Sequence, residues 1–313
     1  MPVYLVDPPT GHAHDLPVIP NQFLHYQLAE RLGEGPLGET WQAVDPALER
    51  GVVIKLLRPF AYADEDTRSR FVLQCEQLHA TAYPPAAVFD WTIEGERQAI
   101  VRELIDGRSL EEFRRGKPIQ YLTVLALLEQ VARAVKTFHD AGMVHGNLRP
   151  RNIILGERGN PYLTDILVPV ALTPWRDAVP PTHRIFVSPE IISGKTPDTL
   201  SDIYSLGAIS LYLLAGDSIL TATETSGPLC DRPELDALPV EGQLLFQKML
   251  SSDPFDRFKD IDELIATVNA VRLDLPSALP GRPRRPSPRT YLSLSILTIL
   301  LIILWIVLAS IKK

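Results

Sequence analysis

The sequence predicts an α+β protein of two lobes, a small antiparallel-sheet lobe followed by a mainly helical one, with one C-terminal transmembrane helix. Three observations carry this. Residues 23–107 hold short runs of alternating apolar and polar side chains broken by turn signals. Residues 108–275 hold longer apolar stripes at helical spacing. Residues 291–311 are 21 residues without a charge. A chain of 313 residues is long enough to bury a full core under such an arrangement.

Residues 1–22 contain five prolines and no periodicity, and read as an irregular extension. No basic segment followed by an apolar run opens the chain, so no signal peptide is expected. Strands are expected over 23–32, 39–44 and 52–57, joined by turns at 33–38 and 45–51. Asp64 can cap a helix running to Ala80 with Phe71 and Leu78 on one face, and two more strands follow at 86–93 and 97–104. These make the small lobe, 23–107.

The larger lobe, 108–275, opens with a helix over 121–141. Its stripe is Val124, Leu127, Leu128, Val131, Val135 and Phe138, and Gly142 supplies the stop. Short strands are expected at 152–156 and 161–167, then a proline-rich segment to about 190. Residues 202–215 are almost wholly apolar and predict a buried helix. Residues 240–250 and 260–272 are amphipathic, with Asp260 and Glu263 placed as a capping box.

Pro276, Pro280, Pro283, Pro286 and Pro288, with four arginines, make 276–290 a stiff basic linker. A helix over 291–311 would span roughly 31 Å, the thickness of a hydrocarbon core of about 30 Å. The arginines before it favour a cytoplasmic body on a single-pass anchor.

Charge and cysteines exclude some functions. The net charge is −7, but six of the 31 basic residues lie at 282–313, leaving 25 against 38 acidic ones. A nucleic-acid-binding body is not expected. Cys75 and Cys230 cannot form a disulfide framework or a zinc site alone, and the seven histidines show no ligand spacing.

The order of motifs over about 23–272 resembles a bacterial-type serine/threonine protein kinase. Gly33-Glu34-Gly35-Pro36-Leu37-Gly38 resembles the glycine-rich loop, whose backbone N–H groups approach phosphates. Lys55 in Val52-Val53-Ile54-Lys55 resembles the phosphate-binding lysine. His145-Gly146-Asn147-Leu148-Arg149-Pro150-Arg151-Asn152 resembles the catalytic loop. Thr164-Asp165-Ile166-Leu167 resembles the metal-binding motif, and Ser188-Pro189-Glu190 the end of the activation segment. Asp202 opens a helix like the family's buried one, and Arg257 stands where the family pairs an arginine with Glu190.

The resemblance implies a bilobal kinase-like fold and ATP with magnesium as cofactors. Gly33, Gly35, Gly38 and Lys55 would hold phosphates; Val53, Arg102 and the hinge residues Glu103 and Ile105 would meet the base. Asn152 and Asp165 would be the hard oxygen ligands of the metal. Gln74 would face Lys55 from the helix.

Several positions depart from the pattern. Asn147 replaces the catalytic aspartate, and a carboxamide cannot act as a carboxylate base, a loss of about 10²–10⁴ in rate. Gly146 replaces an arginine, Gln74 a glutamate, and Ile166 and Leu167 a phenylalanine and glycine. His183 stands for a threonine. Thr40 and Val53 alter the base pocket, and Arg102 falls at the gatekeeper position, or on the surface if the register slips by one residue.

Lys55, Asn152 and Asp165 therefore argue for nucleotide binding, and Val53 and Arg102 against it. Three readings follow: a membrane-tethered pseudokinase that binds a protein partner in signalling, a weak or atypical serine/threonine kinase, and a structural membrane adaptor without nucleotide.

Overall fold

The structure, a computed structural model, describes residues 22–35, 38–57, 65–81, 86–92, 98–166, 184–221 and 228–274. The linker 276–290, the charge-free stretch 291–311, and residues 1–21, 36–37, Leu167 and His183 lie outside them. Among the described residues no helix is long and apolar enough to cross a membrane.

A sheet of six strands builds the small lobe: β1 (Gln22–Phe23), β2 (Tyr26–Gly35), β3 (Gly38–Asp45), β4 (Arg50–Leu57), β5 (Val88–Thr92) and β6 (Gln98–Glu103). Their order is β1-β2-β3-β4-β6-β5, and the pairs are antiparallel. The single strand expected from residue 23 is two, because Leu24 turns the chain at φ 51°.

Strand alternation sends Val52, Ile54, Ala99 and Val101 to one face, where they pack with Phe23, Tyr26 and Ala43 into a closed core. The same alternation sends Val53, Lys55, Ile100 and Arg102 to the other face. Pairing sets Lys55 opposite Ile100 and Val53 opposite Arg102. Helix α1 (Glu65–Ala80) buries Phe71, Gln74, Cys75 and Leu78, while Glu76 is exposed.

The larger lobe rests on two long helices. Helix α3 (Tyr121–Asp140) buries the expected stripe, and Gly142 ends it at φ 71°. Before it come β7 (Gly107–Ser109) and the short α2 (Leu110–Arg114), neither of them expected. Ser109 and Glu112 close a capping box that starts α2.

Strands β8 (Ile153–Gly156) and β9 (Pro161–Leu163) join β7 in a second, three-stranded sheet. After the short helix α4 (Pro189–Ile192), helix α5 (Thr199–Ala215) is buried without break from Ser201 to Leu213. A Cβ on Gly207 would lie 2.9 Å from the Cβ of Met249, so glycine lets α5 meet α6 (Val240–Met249) closely.

Asp260 caps α7 (Ile261–Asp274) through the Glu263 N–H at 2.8 Å. The reciprocal half of the expected box is displaced. Glu263 accepts from the Lys259 N–H and pairs with Lys248, each at 2.8 Å.

Candidate active site

A cleft of about 480 Å³ lies between the large sheet and the helical lobe. Leu32, Gly33, Gly35 and Gly38 wall it on the sheet side, with Lys55 and Arg102 on the strands behind. Asn152, Ile154 and Asp165 wall it on the helical side.

Two of the three glycines leave space and one is needed by the strands. Among the described residues, a Cβ on Gly33 or Gly35 would meet nothing within 4 Å, which leaves room there for a ligand. Gly38, at φ 148°, packs so closely that a Cβ would collide with the Leu56 carbonyl across the β3–β4 pair.

Lys55 lies 3.0 Å from the Asp165 carboxylate, and both side chains are largely shielded. Burial draws the Lys55 ammonium below its usual range, with Asp165 opposing. Burial also opposes ionisation of Asp165, but the charges of Lys55, Arg102 and Arg149 outweigh it and hold the carboxyl well below the usual range. Asp165 sits at φ 58°, a left-handed conformation that costs an L-residue roughly 1–2 kcal/mol.

That turn presents the Asp165 backbone carbonyl to Asn147, whose Nδ2 donates to it at 2.8 Å. Asn152 Nδ2 in turn donates to the Asn147 carbonyl at 2.8 Å, and Thr164 N–H donates to the Asn152 carbonyl at 2.9 Å. The loop thus carries a chain of side-chain amide hydrogen bonds from Asn152 through Asn147 to Asp165.

Behind the loop, Asp202 accepts from the N–H groups of His145 and Gly146 at 2.9 Å and lies 3.0 Å from His139 Nε2. His145 is fully buried, and burial lowers its imidazole to about 4. Its Nδ1 accepts the Asn147 N–H at 3.3 Å. Glu190 and Arg257 pair as expected, at 2.7 and 2.8 Å.

The cleft walls include Gly33, Gly35, Gly38, Lys55, Arg102, Asn152 and Asp165 of the expected residues. Val53, Gln74, Glu103, Ile105 and Asn147 are not among them. Val53 is 1% exposed; its cross-strand neighbour Arg102 is the side chain that reaches the cleft there. Gln74 is held in the buried face of α1, and Glu103 and Ile105 are half-buried in the connection. Asn147, 6% exposed, spends its amide on Asp165.

Arg102 lines the cleft. Its Nη1 donates to the Glu103 carbonyl at 3.1 Å. Sequence reasoning missed Arg149 and Arg151, which also line the cleft; Arg151 lies 3.5 Å from Glu111. Two arginines flanking Pro150 were the available signal.

The donor set fits a hard divalent cation such as magnesium. With its nitrogen on Asn147, Asn152 keeps its amide oxygen, and Asp165 keeps a second carboxylate oxygen beside the one at Lys55. Among the described residues no group of three or more His, Cys, Asp or Glu side chains could hold a metal alone, so ligand phosphates would complete the shell.

The chain has relatives among known proteins. The model of the protein kinase domain matches residues 26–267, and the chain belongs to that family. It is 28% identical to the serine/threonine-protein kinase PknA of Mycobacterium tuberculosis over 282 residues, covering 84% of this chain and 63% of PknA. It is 27% identical to the serine/threonine-protein kinase PrkC of Bacillus subtilis, covering 79% of this chain and 40% of PrkC. The chain thus spans less than two thirds of these relatives. The crystal structure of the Mycobacterium tuberculosis PknI kinase domain superposes with a TM-score of 0.62 at 22% identity, over 80% of this chain and 97% of that one. This likeness establishes the bilobal kinase fold, with its antiparallel-sheet lobe and helical lobe.

Proposed function

We propose that the chain is a membrane-tethered pseudokinase: a signalling module that binds a nucleoside triphosphate and a protein partner and transfers the γ-phosphate poorly. The observation that carries this reading is the Asn147 amide. Phosphoryl transfer needs the acceptor hydroxyl oriented and its proton accepted. Asn147 offers no carboxylate, and its Nδ2 donates 2.8 Å to the Asp165 carbonyl as a strut within the loop.

Binding is supported by what the cleft retains. Gly33 and Gly35 leave room for phosphates, Lys55 and Arg149 supply cations, and Asn152 and Asp165 supply oxygens for a metal. A bound magnesium ion would neutralise phosphate charge. The linker 276–290 and the charge-free stretch 291–311 support the tether and a cytoplasmic body.

A second reading, a weak serine/threonine kinase, is favoured by the relatives, which are serine/threonine-protein kinases by name. It would work by positioning and electrostatics alone, the acceptor hydroxyl losing its proton late.

A thermal-shift titration of the full chain with ATP and GTP, with and without magnesium or manganese, tests binding. A nucleotide at 100 times its dissociation constant should add about 2.7 kcal/mol of stability. No shift at millimolar nucleotide rejects the binding function and leaves the structural adaptor. Extraction of membranes with alkaline carbonate tests the tether; release of the chain into the supernatant would reject it.

A further inference from the structure

We propose that Arg102 sets the base preference of the cleft, so that it takes an oxopurine nucleotide such as GTP or ITP over an adenine nucleotide. This rests on the reading of the cleft as a nucleotide site. The cleft lining offers two kinds of chemistry. Open space at Gly33 and Gly35, with Lys55, Asn152 and Asp165, suits phosphates. Leu32 from the sheet and Ile154 from the helical lobe offer apolar surfaces for a flat ring, with Arg102 on the strand behind.

The edge of that ring would meet donors. Arg102 Nη1 already donates 3.1 Å to the Glu103 carbonyl, which holds the guanidinium at the end of β6. Arg102 Nε is buried with no hydrogen-bond partner among the described residues. A cavity of about 40 Å³, lined by Lys55, Leu78, Ala86, Val88, Leu163 and Asp165 among others, also borders Arg102. Guanine offers two acceptors, O6 and N7, to an arginine, whereas adenine offers N7 beside an amino donor. Donor against donor in a buried site leaves both unsatisfied.

The test is competition of ATP, GTP, ITP and inorganic tripolyphosphate against a fluorescent nucleotide on the full chain, repeated on Arg102→Met. GTP and ITP should bind the unmodified chain at least about fivefold tighter than ATP, the low end of what an arginine–base contact discriminates. In Arg102→Met that ratio should fall to about one or invert. Arg102→Gln, which keeps a polar side chain but removes the charge and the guanidinium fork, serves if the methionine variant fails to fold, and should also narrow the ratio. ATP binding as tightly as GTP, or a ratio unchanged by substitution, overturns the proposal. Tripolyphosphate displacing the probe as well as any nucleotide overturns it while leaving a phosphate site standing. No binding by any of the four removes the underlying reading as well.

Discussion

Asp202, in the first turn of α5, and Asp165, in the loop after β9, are both carboxylates of the helical lobe, but they are held in different ways. Asp202 receives two backbone N–H groups and lies against His139, all within 3.0 Å. Those partners are short and fixed. Asp165 is neutralised instead by Lys55 at 3.0 Å and by the charges of Arg102 and Arg149, long side chains from separate elements. The first carboxylate is locked into architecture; the second is poised against groups that a ligand could rearrange. The substitutions cluster around the second. Asn147, Gln74 and Arg102 adjoin the cleft or its supports, whereas Asp202, Glu190 and Arg257 keep their pairing.

If that contrast is right, the largest losses of stability come from the architectural set. Arg257→Ala leaves the largely buried Glu190 without its bidentate partner and should cost about 3–5 kcal/mol in urea unfolding. A loss under about 1 kcal/mol would erase the distinction.

Acid should act next. His145 is about 4 in the folded chain against an ordinary value near 6.5, so the unfolded chain binds the extra proton between those values. Stability is therefore intact above about pH 6.5 and falls as pH drops toward 4, by up to about 3 kcal/mol. His145→Gln should flatten that part of the pH profile; an equally steep acid loss in the variant would assign it to other groups.

Asn147→Asp sharpens the comparison from the cleft side. The substitution removes the donor to the Asp165 carbonyl and sets an acceptor against it, costing about 1–3 kcal/mol. It should also leave transfer close to background, since Gln74 is unchanged. Brisk activity in this single variant would show that the other substitutions matter little.

Lys55→Met should cost folding less than Arg257→Ala, because Arg102 and Arg149 still face the shielded Asp165 and a desolvated ammonium is removed. It should nevertheless weaken any nucleotide-induced thermal shift. An undiminished shift would place the phosphates elsewhere.

Much of the fold was legible because period-2 and helical patterns report burial directly. The stripe of α3 and the apolar run of α5 are examples. What escaped was short or depended on tertiary partners. Strand β7 has three residues and α2 has five, too few to show a period, although Ser109 and Glu112 carried a capping signal. The turn at Leu24 uses a non-glycine residue at positive φ, which composition does not reveal.

At the site, motif order located Lys55, Asn152 and Asp165 on the cleft. It could not show that Asn147 is a strut, because that bond runs to a backbone carbonyl 18 residues away. Nor could it show that Arg102 captures the Glu103 carbonyl, which depends on side-chain conformation.

Transfer of a radiolabelled γ-phosphate by the unmodified full chain, at nucleotide concentrations shown to saturate it, tests the central claim most directly. The account predicts bound nucleotide with incorporation into itself or a generic protein substrate no greater than in Lys55→Met. Robust incorporation that Lys55→Met abolishes would contradict it and establish the chain as a working kinase.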